Sequence, residues 1–342
     1  MKAAKVYDID DIRIEEMATP VITAHDALVK MHSCGICSGD VTPWYIRRKA
    51  PIVIGHEPTG VIEKIGTEVE GLSVGDRVFI HHHAPCYRCR DCRRANYTMC
   101  ATWKKTQLDP GGVAEYVRVP EINLRYDTLL LPDSVSFDDG ALIEPVACSV
   151  KAVERARIRP GDIVLIIGLG LMGILNGIVA RHYGAKTVIG ADSVSYRLNK
   201  ALELGFDHIV DVEEHDLAKS VREHTNGVMA DTVIVGPGRI DAMQTGLTCV
   251  GKGGVVVLFM ASPEKDVLAL RPYDLYFKDV SIVCSYSCGP PDTRTALDLI
   301  ESGIITSDQV VTHRFPMSET ERGMEITAAA KDSLKVLIQI NS

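Results

Sequence analysis

The run Gly168-Leu-Gly-Leu-Met-Gly173 lies between an apolar stretch, Ile163–Ile167, and a helical one, Leu171–Tyr183. Glycines at that spacing and in that setting demand a strand, a tight turn and a helix in succession. Gly168 permits the turn, Gly170 leaves the backbone open to a close neighbour, and Gly173 lets the helix pack near its strand. The first helical N–H groups, at Leu171, Met172 and Gly173, then face an anion such as a pyrophosphate. A glycine turn of this kind also serves FAD and S-adenosylmethionine. The second strand ends at Asp192, nineteen residues past Gly173. A carboxylate there suits a ribose 2′-hydroxyl and repels a 2′-phosphate, which favours NAD over NADP. Capping the next helix is a compatible second role for Asp192. Arg197 falls where it can approach the adenine or, in the other case, a 2′-phosphate.

The same pattern extends on both sides of the glycines. Strand candidates Ile163–Ile167, Thr187–Gly190, His208–Val212, Asp231–Val235, Gly254–Phe259 and Ser281–Cys284 alternate with helical segments such as Val194–Leu204. Near-continuous apolar strands alternating with helices predict an α/β domain, a doubly wound parallel sheet covered on both faces, over residues 151–286. Residues 1–150 read differently. Short β-like runs (Ala27–Met31, Gly60–Ile65, Arg77–Ile80, Ala114–Val119) are separated by glycine and proline turns, which predicts a compact β-rich domain. After Tyr286 come a Gly289-Pro290-Pro291 break, a helix near Arg294–Ser302 and a last strand, Lys335–Ile340. A completed six-strand sheet has no place for them, so residues 287–342 are expected to return to the first domain.

Four cysteines, Cys86, Cys89, Cys92 and Cys100, read C-x2-C-x2-C-x7-C within a lobe at about residues 85–101. Four thiolates so spaced can close a tetrahedron around zinc. Redox thiols and an iron–sulfur cluster are the competing readings. No apolar leader opens the chain, so disulfides are not expected. A four-thiolate zinc has no open position and orders a loop without reacting. Arg88, Arg90, Arg93 and Arg94 read as a solvated rim around it.

A reactive metal would need other ligands. Cys37 and His56 are good ones, and Glu57 is a third or a supporting carboxylate. Glu144, before Pro145, is a further candidate. Zinc held with one open position acidifies a bound hydroxyl near neutral pH, and a nicotinamide can then accept the hydride. A buried thiol and a hydrogen-bonded core histidine remain the plain alternatives for Cys37 and His56.

Taken together, Gly35-Ile-Cys37, Gly55-His-Glu57, the cysteine lobe, Gly111-Gly-Val-Ala-Glu-Tyr-Val117, Glu144-Pro145 and Gly168–Gly173 resemble, in that order, the zinc-dependent medium-chain dehydrogenases. The resemblance covers nearly the whole chain. It is strongest to the sorbitol or polyol dehydrogenase and L-threonine dehydrogenase branch, where a glutamate before proline replaces the cysteine of liver-type alcohol dehydrogenases. It implies a GroES-like catalytic domain with a Rossmann domain. Cys37, His56 and Glu57 would surround a catalytic zinc, with Glu144 a fourth or exchangeable ligand and Asp40 orienting His56. It further implies a secondary alcohol as substrate, a polyol, cyclic polyol or sugar-like molecule, and a homo-oligomer, tetramer or dimer.

Two departures stand out. The family's hydroxyl two places after the cysteine is Gly39 here, and a histidine five places after it is Thr42. Ser38, Thr42, Glu57 or a zinc-bound water would therefore relay the substrate proton. The run Val146–Val150 replaces one usual in threonine dehydrogenases, and no polyol-binding arginine is evident in Ser285–Gly289. L-Threonine or another 3-hydroxy amino acid, a simple secondary alcohol, and a catalytically silent nucleotide-binding relative are the alternatives. Trp44 and Tyr45 fall at a pocket-wall position of the family, with core packing the plain alternative for Trp44. His81-His-His83 reads as a surface turn, Cys34 and Cys284 as core, and Cys148, Cys249 and Cys288 show no ligand pattern.

The net charge of −8 argues against a nucleic-acid or anionic-membrane surface, and no apolar run approaches a membrane span. A cytoplasmic location is expected.

Overall fold

A computed structural model describes residues 1–341. The chain forms two compact units: Met1–Ala147 with the stretch from Cys288 onward, and Cys148–Ser287.

The first part of the chain supplies strands β1 (Lys2–Asp8), β2 (Asp11–Glu16), β3 (Ala27–Ile36), β4 (Ile52–Val53), β5 (Pro58–Ile65), β6 (Arg77–Ile80), β7 (Tyr116–Val119) and β8 (Thr128–Leu130). The second unit holds β9 (Ile163–Ile167), β10 (Thr187–Asp192), β11 (His208–Asp211), β12 (Ala230–Val235), β13 (Val250–Leu258) and β14 (Ser281–Cys284). The tail adds β15 (Val311–Pro316) and β16 (Lys335–Gln339).

In the second unit the strand order is β11-β10-β9-β12-β13-β14, parallel throughout. This is the doubly wound order, with its switch point between β9 and β12. The apolar runs explain it. Leu165, Ile167, Ile189, Val233, Val235 and Val256 are buried in one cluster, and side chains of that kind stabilise by roughly 1.5–3 kcal/mol each on full burial. Cys284 departs from expectation: it is exposed, because β14 is the edge strand.

In the first unit, β3 is the organising strand. It pairs antiparallel with β5, with β7 and with β16. Eight of its ten residues are buried, so its backbone groups need partners on both flanks. The tail supplies one flank: Val336 lies opposite Ile36 and Gln339 opposite Ser33. The full sheet runs β15-β16-β3-β5-β6-β8, and a smaller one runs β2-β1-β4. Val29, Met31, Ile62, Val78 and Val117 form one core, and Ile36, Ile54, Phe315, Val336 and Ile338 another. The β-rich and parallel-sheet architecture is that expected of a GroES-like and a Rossmann fold. Among the described residues no helix is long and apolar enough to cross a membrane.

Candidate active site

The cysteine lobe closes on itself. Sulfur–sulfur separations are 3.5 Å for Cys89–Cys92, 3.7 Å for Cys86–Cys100 and 4.0 Å for Cys86–Cys92. Two Zn–S bonds meeting at a tetrahedral angle set sulfurs about 3.8 Å apart, so the four side chains fit that ion. Tyr87, at φ +54°, turns the backbone, and the N–H groups of Arg88 and Cys89 point back at the Cys86 sulfur. The Arg88 N–H is the main cause that draws the Cys86 thiol down to about 6, favouring the thiolate that metal requires, whereas burial pushes Cys92 up to about 12. Trp103 is buried against the sulfurs, and the four arginines point outward. Among the described residues no disulfide joins any of the cysteines.

A second group forms where β3 ends and β5 begins. Donor atoms of Cys37, His56 and Glu57 lie within 4.8 Å of one another. The register explains the meeting. Cys34 pairs with Pro58, so Glu57 comes beside Gly35 and Cys37 follows just beyond the strand end. Asp40, buried, accepts from the Cys37 backbone N–H (3.0 Å) and stands 3.5 Å from His56 Nδ1. Burial alone would lower the His56 imidazole, but the Asp40 carboxylate outweighs it and holds the ring well above its usual range. With Nδ1 facing Asp40, Nε2 is the nitrogen left for a ligand. A thiol, an imidazole and a carboxylate so placed fit a zinc ion.

Sequence reasoning missed Lys335. It opens β16, is 1% exposed, and forms an ion pair with Glu57, equally buried. Burial raises the Glu57 carboxyl above its usual range, with Lys335 and His56 opposing. The pair crosses the face of Gly35, where an added Cβ would stand 1.8 Å from Glu57 Oε2 and 2.5 Å from Lys335 Cε. Only glycine leaves that room. The available signal was a lone lysine inside an apolar strand.

The other candidates are dispersed. Ser38 is exposed, and its carbonyl accepts from the Thr42 hydroxyl at 2.8 Å. Trp44 is 56% exposed and meets Tyr45 edge-on, so core packing is not its role. Glu144 groups with His81 and Cys288 rather than within the Cys37 set, although its charge acts on Glu57. The histidine run is no surface turn. His81 is fully buried, because its Nδ1 meets Asp127 Oδ2 at 2.6 Å, and His82 lies against His56 with ring centroids 5.1 Å apart. Burial drives His82 well down and His83 to about 3, leaving both rings neutral. Cys34 is buried, its thiol pushed up to about 12 by burial.

In the second unit, Gly168 takes φ +88°, and a Cβ on Gly173 would stand 1.9 Å from the Gly168 carbonyl oxygen. At Gly170 nothing but the Arg197 guanidinium comes within 4 Å of that position, so the backbone there faces open space of the kind a pyrophosphate occupies. The helix Leu171–His182 starts immediately after it. Asp192 ends β10 and ties the loop together: its Oδ2 accepts from Leu169 N–H (2.6 Å), and its Oδ1 from Ser193 and Val194 N–H (2.8 and 2.9 Å). Arg197 stands 3.5 Å from the same carboxylate.

Comparison with known proteins agrees. The profile of the alcohol dehydrogenase GroES-like domain matches residues 23–127, and that of zinc-binding dehydrogenases matches residues 168–302. The sorbitol dehydrogenase of Rattus norvegicus is 34% identical, over 98% of this chain and 94% of its own. A Sinorhizobium meliloti 1021 protein described as a zinc-binding dehydrogenase, bound to NADP, has a TM-score of 0.89 at 26% identity, covering 99% of this chain and 98% of its own. An alcohol dehydrogenase of Escherichia coli CFT073 complexed with NADH matches equally well, at TM-score 0.89 and 26% identity over 99% of each chain. This chain therefore belongs to the zinc-dependent medium-chain dehydrogenases, oxidoreductases that act on a CH–OH group with zinc and a nicotinamide coenzyme, in their polyol dehydrogenase branch.

Proposed function

We propose that this protein oxidises a secondary hydroxyl of a polyol, cyclic polyol or sugar-like substrate, passing hydride to NAD. The observation that carries the reading is the Cys37–His56–Glu57 group with Asp40 behind the imidazole. Zinc held there supplies Lewis acidity toward a substrate oxygen, and the coenzyme supplies the hydride acceptor. Cys37 and His56 hold the metal with Glu57 beside them, and Glu144 is a fourth or exchangeable ligand. Asp40 fixes the tautomer of His56. Lys335 offsets the charge of Glu57 in a dry interior. Ser38 or Thr42, with Glu57 or water, carries the substrate proton outward. In the second unit, Gly168, Gly170 and Gly173 with the N–H groups of Leu171 and Met172 seat the pyrophosphate. The Asp192 carboxylate favours the unphosphorylated ribose, with Arg197 beside it.

Cys86, Cys89, Cys92 and Cys100 hold a structural zinc. The catalytic domain is the first unit and the coenzyme domain the second. The protein works in the cytoplasm as a homo-oligomer, a dimer or tetramer. The exposed edge strand β14, and Tyr273, Tyr276 and Phe277, each more than two-thirds exposed, support self-association.

The test is zinc analysis with NAD reduction across polyols, L-threonine and propan-2-ol. Turnover strongest with a polyol is the expected result. Preference for threonine or propan-2-ol would redirect the substrate class. No turnover on any alcohol would point to a silent relative.

A further inference from the structure

A third group in the first unit shares only Glu144 with the reading above. We propose that His81, Glu144 and Cys288 form a further metal position, taking a divalent ion of borderline softness such as zinc. Their donor atoms lie within 4.8 Å of one another, and the residues are 0%, 6% and 0% exposed. Cys288 Sγ stands 3.7 Å from His81 Nε2, where a Zn–S and a Zn–N bond at a tetrahedral angle set the two atoms about 3.5 Å apart. The thiol also touches the Glu144 backbone carbonyl at 4.0 Å.

The imidazole is aimed as metal-binding histidines are. Its Nδ1 meets Asp127 Oδ2 at 2.6 Å, which leaves Nε2 facing Cys288. Asp127 is itself fully buried and fixed: its Oδ1 accepts from the Thr293 hydroxyl at 2.5 Å. Asn123 donates to the His81 carbonyl at 2.9 Å, locking the backbone behind the ring. The charges also suit burial. One thiolate and one carboxylate neutralise a dication. Binding displaces the Cys288 thiol proton to solvent, so uptake releases a proton.

The three residues come from distant segments: the end of β6, the first turn of the helix Ile143–Ala156, and the start of the returning tail. An ion there cross-links the tail to the rest of its unit. It also holds Glu144, so occupancy decides how far that carboxylate is available to the Cys37 group.

The test is the zinc content of the full chain after stripping, reloading and gel filtration. About three zincs per chain are expected, from the four-thiolate lobe, the Cys37 group and this position. Cys288→Ala and His81→Asn should each hold about one fewer, and Cys37→Ala should lose a different one. Zinc-edge anomalous scattering from wild-type crystals should show a peak between His81, Glu144 and Cys288, which decides the matter even where a variant does not fold. A wild type that saturates at about two zincs, no peak there, or an unchanged count in Cys288→Ala overturns the proposal. Loss of the Cys37 zinc alone would count against the proposed function and leave this position standing.

Discussion

Two candidate metal groups of the first unit are built by opposite means. The cysteine lobe lies within one short run, Cys86 to Cys100, and its turns are set by residues inside that run, Tyr87 among them. The Cys37 group is assembled across strands: Cys37 from the end of β3, His56 and Glu57 from the start of β5, and Lys335 from β16. The first is encoded by spacing and the second by register. A local site survives disturbance elsewhere, whereas an assembled site fails with any strand that carries a part of it.

That contrast can be broken by mutation. His56→Ala should lower kcat/KM for the polyol about a thousandfold or more, since metal polarisation contributes several kcal/mol. The lobe zinc should stay bound in that variant. Cys100→Ala should show the reverse, losing the lobe zinc and gaining protease sensitivity near Cys86–Met99 while turnover persists. Equal loss of turnover in both would show that the lobe is not independent. Lys335→Met removes the cation and leaves Glu57 buried alone, at a cost of about 3–5 kcal/mol in denaturant unfolding. Adding Glu57→Gln to it should recover part of that loss, and no recovery would mean that Lys335 serves packing alone. Gly35→Ala places a methyl group in the path of the ion pair and should cost about 1–3 kcal/mol, with activity falling too. A neutral result would mean that the strands slide more freely than this register implies. The smallest effect belongs to the proton route: Ser38→Ala should shift the pH–rate profile and lower kcat severalfold, while an unchanged kcat removes Ser38 from the relay.

The same contrast explains what could be read in advance. β9 and β14 occupy Ile163–Ile167 and Ser281–Cys284, as the apolar runs imply. β13 starts at Val250 rather than Gly254, because the Gly253-Gly254 pair looks like a turn but lies inside a strand whose register shifts. Histidines at 81–83 read as polar surface because Asp127, which makes burial of His81 possible, stands 46 residues away. Cys288 shows no spacing to any ligand, since its neighbours come from other segments. Lys335 and Glu57 are legible singly and not as a pair. Periodicity reports the local chain; which distant charge neutralises which is decided only when β16 docks beside β3.

The docking of β16 carries a consequence for anyone dissecting this protein. A fragment ending at Ala147 would leave one margin of β3 unsheltered and strand the carboxylate of Glu57 with no counter-ion. Gene halves cut between the two units would thus yield a catalytic piece unable to fold until the missing C-terminal segment was supplied, in trans or by rejoining the ends in a permuted order.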